Sequence, residues 1–178
     1  MYDRLKSFRR AAACTGFVAS LLVASSAMAQ SKNCLDTLAG MPEMSRFVGV
    51  IAASHVGADL REVGPFTILA PTNAAIEAAP PFLVDRLFPK ESDGRTADPV
   101  LAPAAVNAHI LAGRYTSTAV SVGQSVQTRT RAGNLIEVSN QNGAVTIAAA
   151  GAGEAKVVKS DIACSNGVIH VIDHVLVR

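Results

Sequence analysis

Gly64-Pro65-Phe66-Thr67-Ile68-Leu69-Ala70-Pro71-Thr72-Asn73-Ala74-Ala75-Ile76 is the stretch on which the fold turns. Phe66 to Ala70 is a short apolar run between two prolines, the composition of a buried strand. Thr72 and Asn73 suit the N-cap of a helix through Ala74 to Ala79, because their side-chain oxygens accept backbone N–H groups that a first helical turn leaves unpaired. Pro80 and Pro81 end that helix.

Upstream, Met44, Phe47, Val48, Ile51 and His55 follow the i, i+3, i+4, i+7 spacing of one helix face. Gly57 is placed to stop that helix, and Ala58 to Val63 offers one more turn. Downstream, Phe82 to Phe88 predicts a short helix, and the polar run from Lys90 to Pro99 predicts an exposed loop. A further helix is expected to start near Pro103 and run to about Leu111, capped by Gly113. Beyond Gly113 the period changes to two. Val126, Thr128 and Thr130 alternate with Gln127, Arg129 and Arg131. Asn142-Gly143 and Asn166-Gly167 supply tight turns between alternating runs, a strong hairpin signal. Val158, Ile162 and Cys164 are expected on one strand face, opposite Lys159 and Asp161. Helices first and mainly antiparallel strands afterwards make an α+β pattern.

The N-terminus changes how the charge is read. Arg4, Lys6, Arg9 and Arg10 precede an apolar run from Ala11 to about Val23, and Ala27-Met28-Ala29 has the small-residue form of a cleavage site. These are the three parts of a secretory signal peptide over residues 1–29. The rival reading is a retained anchor, for which the apolar run is short, since a span needs about 20 residues. The chain carries 16 basic and 14 acidic side chains; four of the bases and one acid precede Gln30, which leaves 12 against 13 and a formal charge of −1. No basic stripe remains to meet nucleic acid, and no second run is apolar enough to span a membrane. Residues 30–178 fit one domain. Of three cysteines, Cys14 falls in the signal segment. Cys34 and Cys164 remain, an even pair in an oxidising compartment, which predicts one disulfide. The alternative is two unpaired, small, buried residues.

A second motif joins the first. Ser160-Asp161-Ile162, then Asn166-Gly167-Val168-Ile169-His170-Val171-Ile172-Asp173, then Val175-Leu176, resembles the closing motif of fasciclin domains, as the stretch from Gly64 resembles their opening one. The resemblance runs from about Asn33 to Arg178, with His109 at the place of the family's central histidine. It implies a β-wedge of two mainly antiparallel sheets with helices packed at one side. It also implies protein or polysaccharide partners. Three positions depart from the family pattern. Ile76 stands where a large aromatic is frequent, Ala108 where a tyrosine precedes the histidine, and Val177-Arg178 where a proline often closes the domain. The Tyr-His pair lies in a region linked to integrin adhesion in animal members, and this chain lacks the tyrosine.

The motif residues Phe66, Thr72, Asn73, His109, Asp161, Asn166, Gly167, His170 and Asp173 read mainly as architecture. Phe66 to Ala70 and Val168 to Leu176 are expected to be core strands, with Ile169, Val171 and Val175 on one face and Val168, Ile172 and Leu176 on the other. Gly167 is expected where a tight turn needs positive φ. His170 and His174 share a strand face, but no third ligand stands at a recognised spacing, so no metal or other cofactor is expected. His170 reads as a hydrogen-bonded structural residue and His174 as a solvated one. There is no nucleophile elbow, phosphate loop or H-E-x-x-H motif. The expectation is an exported, non-catalytic binding or adhesion module. Arg86, Lys90 and Arg95 are its candidate partner-binding residues, because long exposed loops carry recognition in scaffolded domains. The alternatives are an envelope-acting hydrolase and a protein that holds a small apolar ligand between sheet and helices.

Overall fold

Residues 32–62, 64–89 and 96–177 are described by a computed structural model; the expected signal segment, Lys90 and Arg95 lie outside that range. Asn33 opens α1 (Cys34–Ala39) by accepting the Asp36 amide at 2.8 Å. α2 (Ser45–Ala53) buries the stripe Phe47, Val50 and Ile51, as an amphipathic helix should. It ends at Ser54, whose backbone is extended, and not at Gly57. Gly57 lies inside α3 (Val56–Asp59), where a Cβ would stand 2.8 Å from the Ile51 carbonyl oxygen. Its missing side chain lets this short helix fold back against the end of α2.

The opening motif forms β1 (Phe66–Pro71), and Thr72 caps α4 (Asn73–Glu77) by accepting the Ala75 amide at 3.0 Å. Pro81 starts α5 (Pro81–Leu87), at the first-turn position where a missing N–H is harmless. α6 (Leu101–Ala108) begins two residues before Pro103 and ends sooner than the sequence predicts. Ile110 to Ala112 leaves the helix to become β2, paired antiparallel with Phe66 to Ile68. The exposed edge of β1 outcompetes a last helical turn.

Five further strands complete the sheet: β3 (Gln124–Arg129), β4 (Leu135–Gln141), β5 (Ala144–Ala149), β6 (Gly153–Cys164) and β7 (Gly167–Ile172). The order is β2-β1-β7-β6-β5-β4-β3. β1 and β7, the strands of the two motifs, pair in parallel, and every other pairing is antiparallel. β6 is 12 residues long and belongs to both wings of the wedge. Irregular pairing between Val157 and Ile162 shifts its register, and Asp161 there has φ +58. Before this stretch Ala155 and Val157 face the inside of the curl, after it Ile162 and Cys164 pack on the helix side, and Val158 within it is left exposed.

The sheet curls until its edges meet at one end. Leu111 bridges Thr130, and the Arg131 amide donates to the Ile110 carbonyl at 2.7 Å. Two cores follow. Helix side chains such as Leu38, Phe47 and Val106 pack on Ile68, Ile169 and Val171 outside the curl. Leu69, Ile136, Ile147, Ile172 and Leu176 fill its inside. β7 is therefore buried along its whole length. The strand stops at Ile172, and the chain bends at Asp173 and His174 before Val175 and Leu176 return to the two cores.

Candidate functional site

The two motifs meet at Asn166. Its Oδ1 accepts the Cys34 amide at 2.9 Å, and its Nδ2 donates to the carbonyls of Leu60 and Glu62 at 2.8 and 2.9 Å. Its own carbonyl accepts the Phe66 amide at 3.0 Å. Cys34 and Cys164 form a disulfide beside it, with 5.0 Å between their Cα atoms. Gly167 does not adopt positive φ. Glycine is required for a different reason: a Cβ would overlap the Phe66 carbonyl oxygen and stand 3.0 Å from Cys34 Sγ. Gly64 is pressed against the Asn166 carbonyl in the same way.

Thr72 caps a helix, but Asn73 acts elsewhere. Its Oδ1 accepts the Arg46 amide at 3.1 Å, while its Nδ2 donates to the Pro42 carbonyl at 3.1 Å and to Ser45 Oγ at 3.0 Å. It pins the start of α2 to the end of β1. The Phe66 ring lies 5.7 Å from the Arg131 guanidinium, which also bonds Asp59 at 3.0 Å.

His109 is fully buried at the end of α6, edge-on to Phe47 at 5.4 Å. Nδ1 lies 2.7 Å from the Ala105 carbonyl and Nε2 accepts the Leu176 amide at 3.0 Å. The pairing requires the proton on Nδ1 and a neutral ring. Burial drives the pKa down to about 4, although the bond to Ala105 opposes the shift. Its neighbour Ala108 is also buried, so a tyrosine there would meet packed interior.

His170 faces the inside of the curl. Nδ1 accepts the Asp161 amide at 3.2 Å and Nε2 stands 2.7 Å from the Tyr115 carbonyl, which places its proton on Nε2. The Asp161 carboxylate in turn accepts both the amide and the hydroxyl of Ser117. Burial alone would raise the Asp161 pKa, but the two Ser117 bonds, together with His170 and Ser160, hold the carboxyl below its usual range. Serine, aspartate and histidine are adjacent here, with Ser117 bonded to the Asp161 carboxylate and the Asp161 amide to His170, and these bonds fix the loop. Asp173 accepts the Lys156 amide at 2.7 Å and pairs with the exposed His174 at 3.0 Å. Among the described residues, no three His, Cys, Asp or Glu side chains gather to hold a metal ion.

Arg86 pairs with Asp98 at 3.2 Å, and its carbonyl accepts the Asp98 amide at 2.9 Å. Asp98 Oδ1 accepts the amides of Leu101 and Val100, which lowers its pKa and anchors the start of α6. This candidate cation is thus committed to a carboxylate. The structure brings Cys34, Phe66, Asn166, Gly167 and Cys164 into one junction and His170 onto Asp161, with Arg86 away from both. A cleft of about 240 Å³ inside the curl escaped the sequence reading. Its walls include Leu69, Leu111, Val138 and His170, with Tyr115 and Ser117 from the segment that crosses it. Its sequence signal is the inward alternation of Val126 with Thr128 and of Val145 with Ile147.

A family model for the fasciclin domain matches residues 42–178. Protein sll1483 of Synechocystis is 29% identical over 157 residues, covering 88% of this chain and 79% of that protein. Human periostin is 31% identical over 142 residues, covering 80% of this chain; the chain spans 15% of periostin's length. A solved FAS1 domain pair from the insect cell adhesion molecule fasciclin I superposes with a TM-score of 0.63 at 21% identity. That match covers 84% of this chain and 52% of the pair, and it shows shared fold. Parallel pairing of the two motif strands, helices packed outside a curled sheet and a match along most of the chain give one result: the chain belongs to the fasciclin domain family.

Proposed function

We propose that this chain is an exported, non-catalytic binding module for a protein or polysaccharide of the cell envelope or the space outside the cell. One observation carries the reading: the polar side chains of both motifs are committed to bonds inside the fold. Asn73, His109, Asp161, Asn166, His170 and Asp173 each hold backbone in place. A catalytic group needs a free lone pair or a transferable proton facing substrate; the amides and imidazoles of this set are spent on backbone, and the two carboxylates are engaged by Ser117 and Lys156. A structural relative described as part of a cell adhesion molecule points the same way.

The partner surface in this reading is the loop after α5. Arg86, which also pairs with Asp98, and the further cations Lys90 and Arg95 of this loop's sequence are the residues assigned to meet an acidic face or an anionic glycan. Residues 1–29 are the export signal, and intact-mass measurement of the exported protein should begin at Gln30. The test of function is capture of envelope polysaccharide and envelope protein by the immobilised mature chain. Lys90→Glu with Arg95→Glu should weaken capture at least about tenfold and leave the unfolding midpoint unchanged. Turnover of an envelope polymer by purified protein, abolished in His170→Ala, would overturn the reading in favour of an enzyme.

A further inference from the structure

The cleft inside the curl is space that the surrounding side chains leave unfilled. Its walls are built largely from valines, Val126, Val138, Val145 and Val157, where leucine or phenylalanine would close the space. An apolar void costs stability in proportion to its size, so short side chains on four strands keep open a space that packing would fill. Leu69, Leu111 and Ile147, each 3% exposed or less, form the floor.

The polar groups on the wall are turned to the protein. Thr67 Oγ donates to the Gly113 carbonyl at 2.8 Å and accepts the Tyr115 amide at 2.9 Å. Both ring nitrogens of His170 are engaged, and Ser117 Oγ donates to Asp161. Ordered water needs two to four polar partners, and these groups have little left to give it. Ligand sites are concave and mostly apolar, with a few polar groups at one end. Here that end is the mouth, where Tyr115, Thr116 and Ser117 cross the opening.

We infer that this cleft binds a medium-length aliphatic chain with an uncharged polar head, the chain between the valines and the head at Tyr115 to Ser117. At roughly 30 Å³ for each small group, the volume water occupies, a space of about 240 Å³ takes a chain of about eight carbons. The head is neutral because the ionised Asp161 stands beside the mouth, bonded to Ser117, and repels a carboxylate. Val126 and Tyr115, 49% and 41% exposed, supply an apolar rim that the bound chain would cover.

The test uses the mature protein and 1-octanol, followed by amide shifts in two-dimensional NMR. Saturable shifts centred on Leu111, Ser117, Val126, Ile147 and His170 are expected, with a Kd on the order of 0.1 mM. Val138→Phe and, independently, Val145→Phe fill the cleft and should weaken binding at least about tenfold. Ala148→Phe, on the outer face of β5 where the side chain is exposed, should leave it unchanged. Octanoate at pH 8 should bind at least about tenfold more weakly than the alcohol. The absence of saturable shifts in the wild type, or equal binding by a folded cleft-filling variant, overturns the site. Octanoate binding as tightly as octanol overturns the neutral-head assignment.

Discussion

The Leu176 amide donates to Nε2 of His109 across 3.0 Å, so the last buried residues of the chain are held by the ring that ends α6. That bond exists only while the ring is neutral. The folded pKa is about 4 against 6.5 for the free side chain, so between these values the unfolded chain binds more protons than the folded one. Stability is full above pH 6.5 and falls as the pH drops toward 4, by up to about 3 kcal/mol. Urea unfolding at half-unit pH steps should show this slope, and His109→Gln should flatten it. Asp161 and Asp173, held below the usual carboxylate range, act only at lower pH.

Gly167 and Gly123 separate two reasons for glycine. Gly167→Ala drives a methyl group into the Phe66 carbonyl and Cys34 Sγ, so it should cost about 3 kcal/mol or more. Gly123 has φ +80 and nothing within 4 Å of a Cβ, so Gly123→Ala should cost only about 1–2 kcal/mol. Comparable losses in the two variants, measured from urea midpoints, would count against close approach as the requirement at Gly167.

The Cys34–Cys164 bridge closes a loop across a sequence separation of 130. Thiol labelling without reductant should modify neither residue in the exported protein. Replacing both with serine should lower stability by up to about 5 kcal/mol, the chain-entropy limit for so long a loop. A full label before reduction would remove the bridge from the account.

Ile172 and Val158 test the reading of the last two strands. Ile172 is fully buried inside the curl, and Ile172→Ala should cost about 2–5 kcal/mol. Val158 is 59% exposed, and Val158→Ala should change stability by less than about 0.5 kcal/mol. A large effect at Val158 would mean that the irregular stretch of β6 does not turn this side chain out to solvent.

What the sequence made legible was local. The run Phe66 to Ala70 reads as a buried strand from composition, Thr72 as a cap from its hydroxyl, and Asn142-Gly143 as a hairpin from its tolerance of positive φ. Val168 to Ile172 reads as apolar on both faces and lies between β1 and β6. What stayed hidden depends on distant partners. Ile110 to Ala112 has helical surroundings until the edge of β1 is present to pair with it. Asn73 looks like a cap because its hydrogen bonds run to residues 27 to 31 positions away. Val158 is expected from the sequence to share a face with Ile162 and Cys164 but is left exposed, because period-two reading assumes an unbroken pleat and the pairing of β6 shifts between Val157 and Lys159. The cleft was invisible because it exists only where all seven strands curl past one another.

The bridge from Cys34 to Cys164 also decides how the domain carries tension. A pull between a tether before Cys34 and an anchor beyond the closing motif passes through the covalent link. Most of the helices, and the strands from β1 to β6, then lie on a slack branch. Only the segment after Cys164 is loaded, and its strand is gripped along its length by a parallel neighbour on one side and an antiparallel one on the other. Extension therefore has to shear β7 out from between two partners, and the rest of the molecule stays at rest while that strand holds.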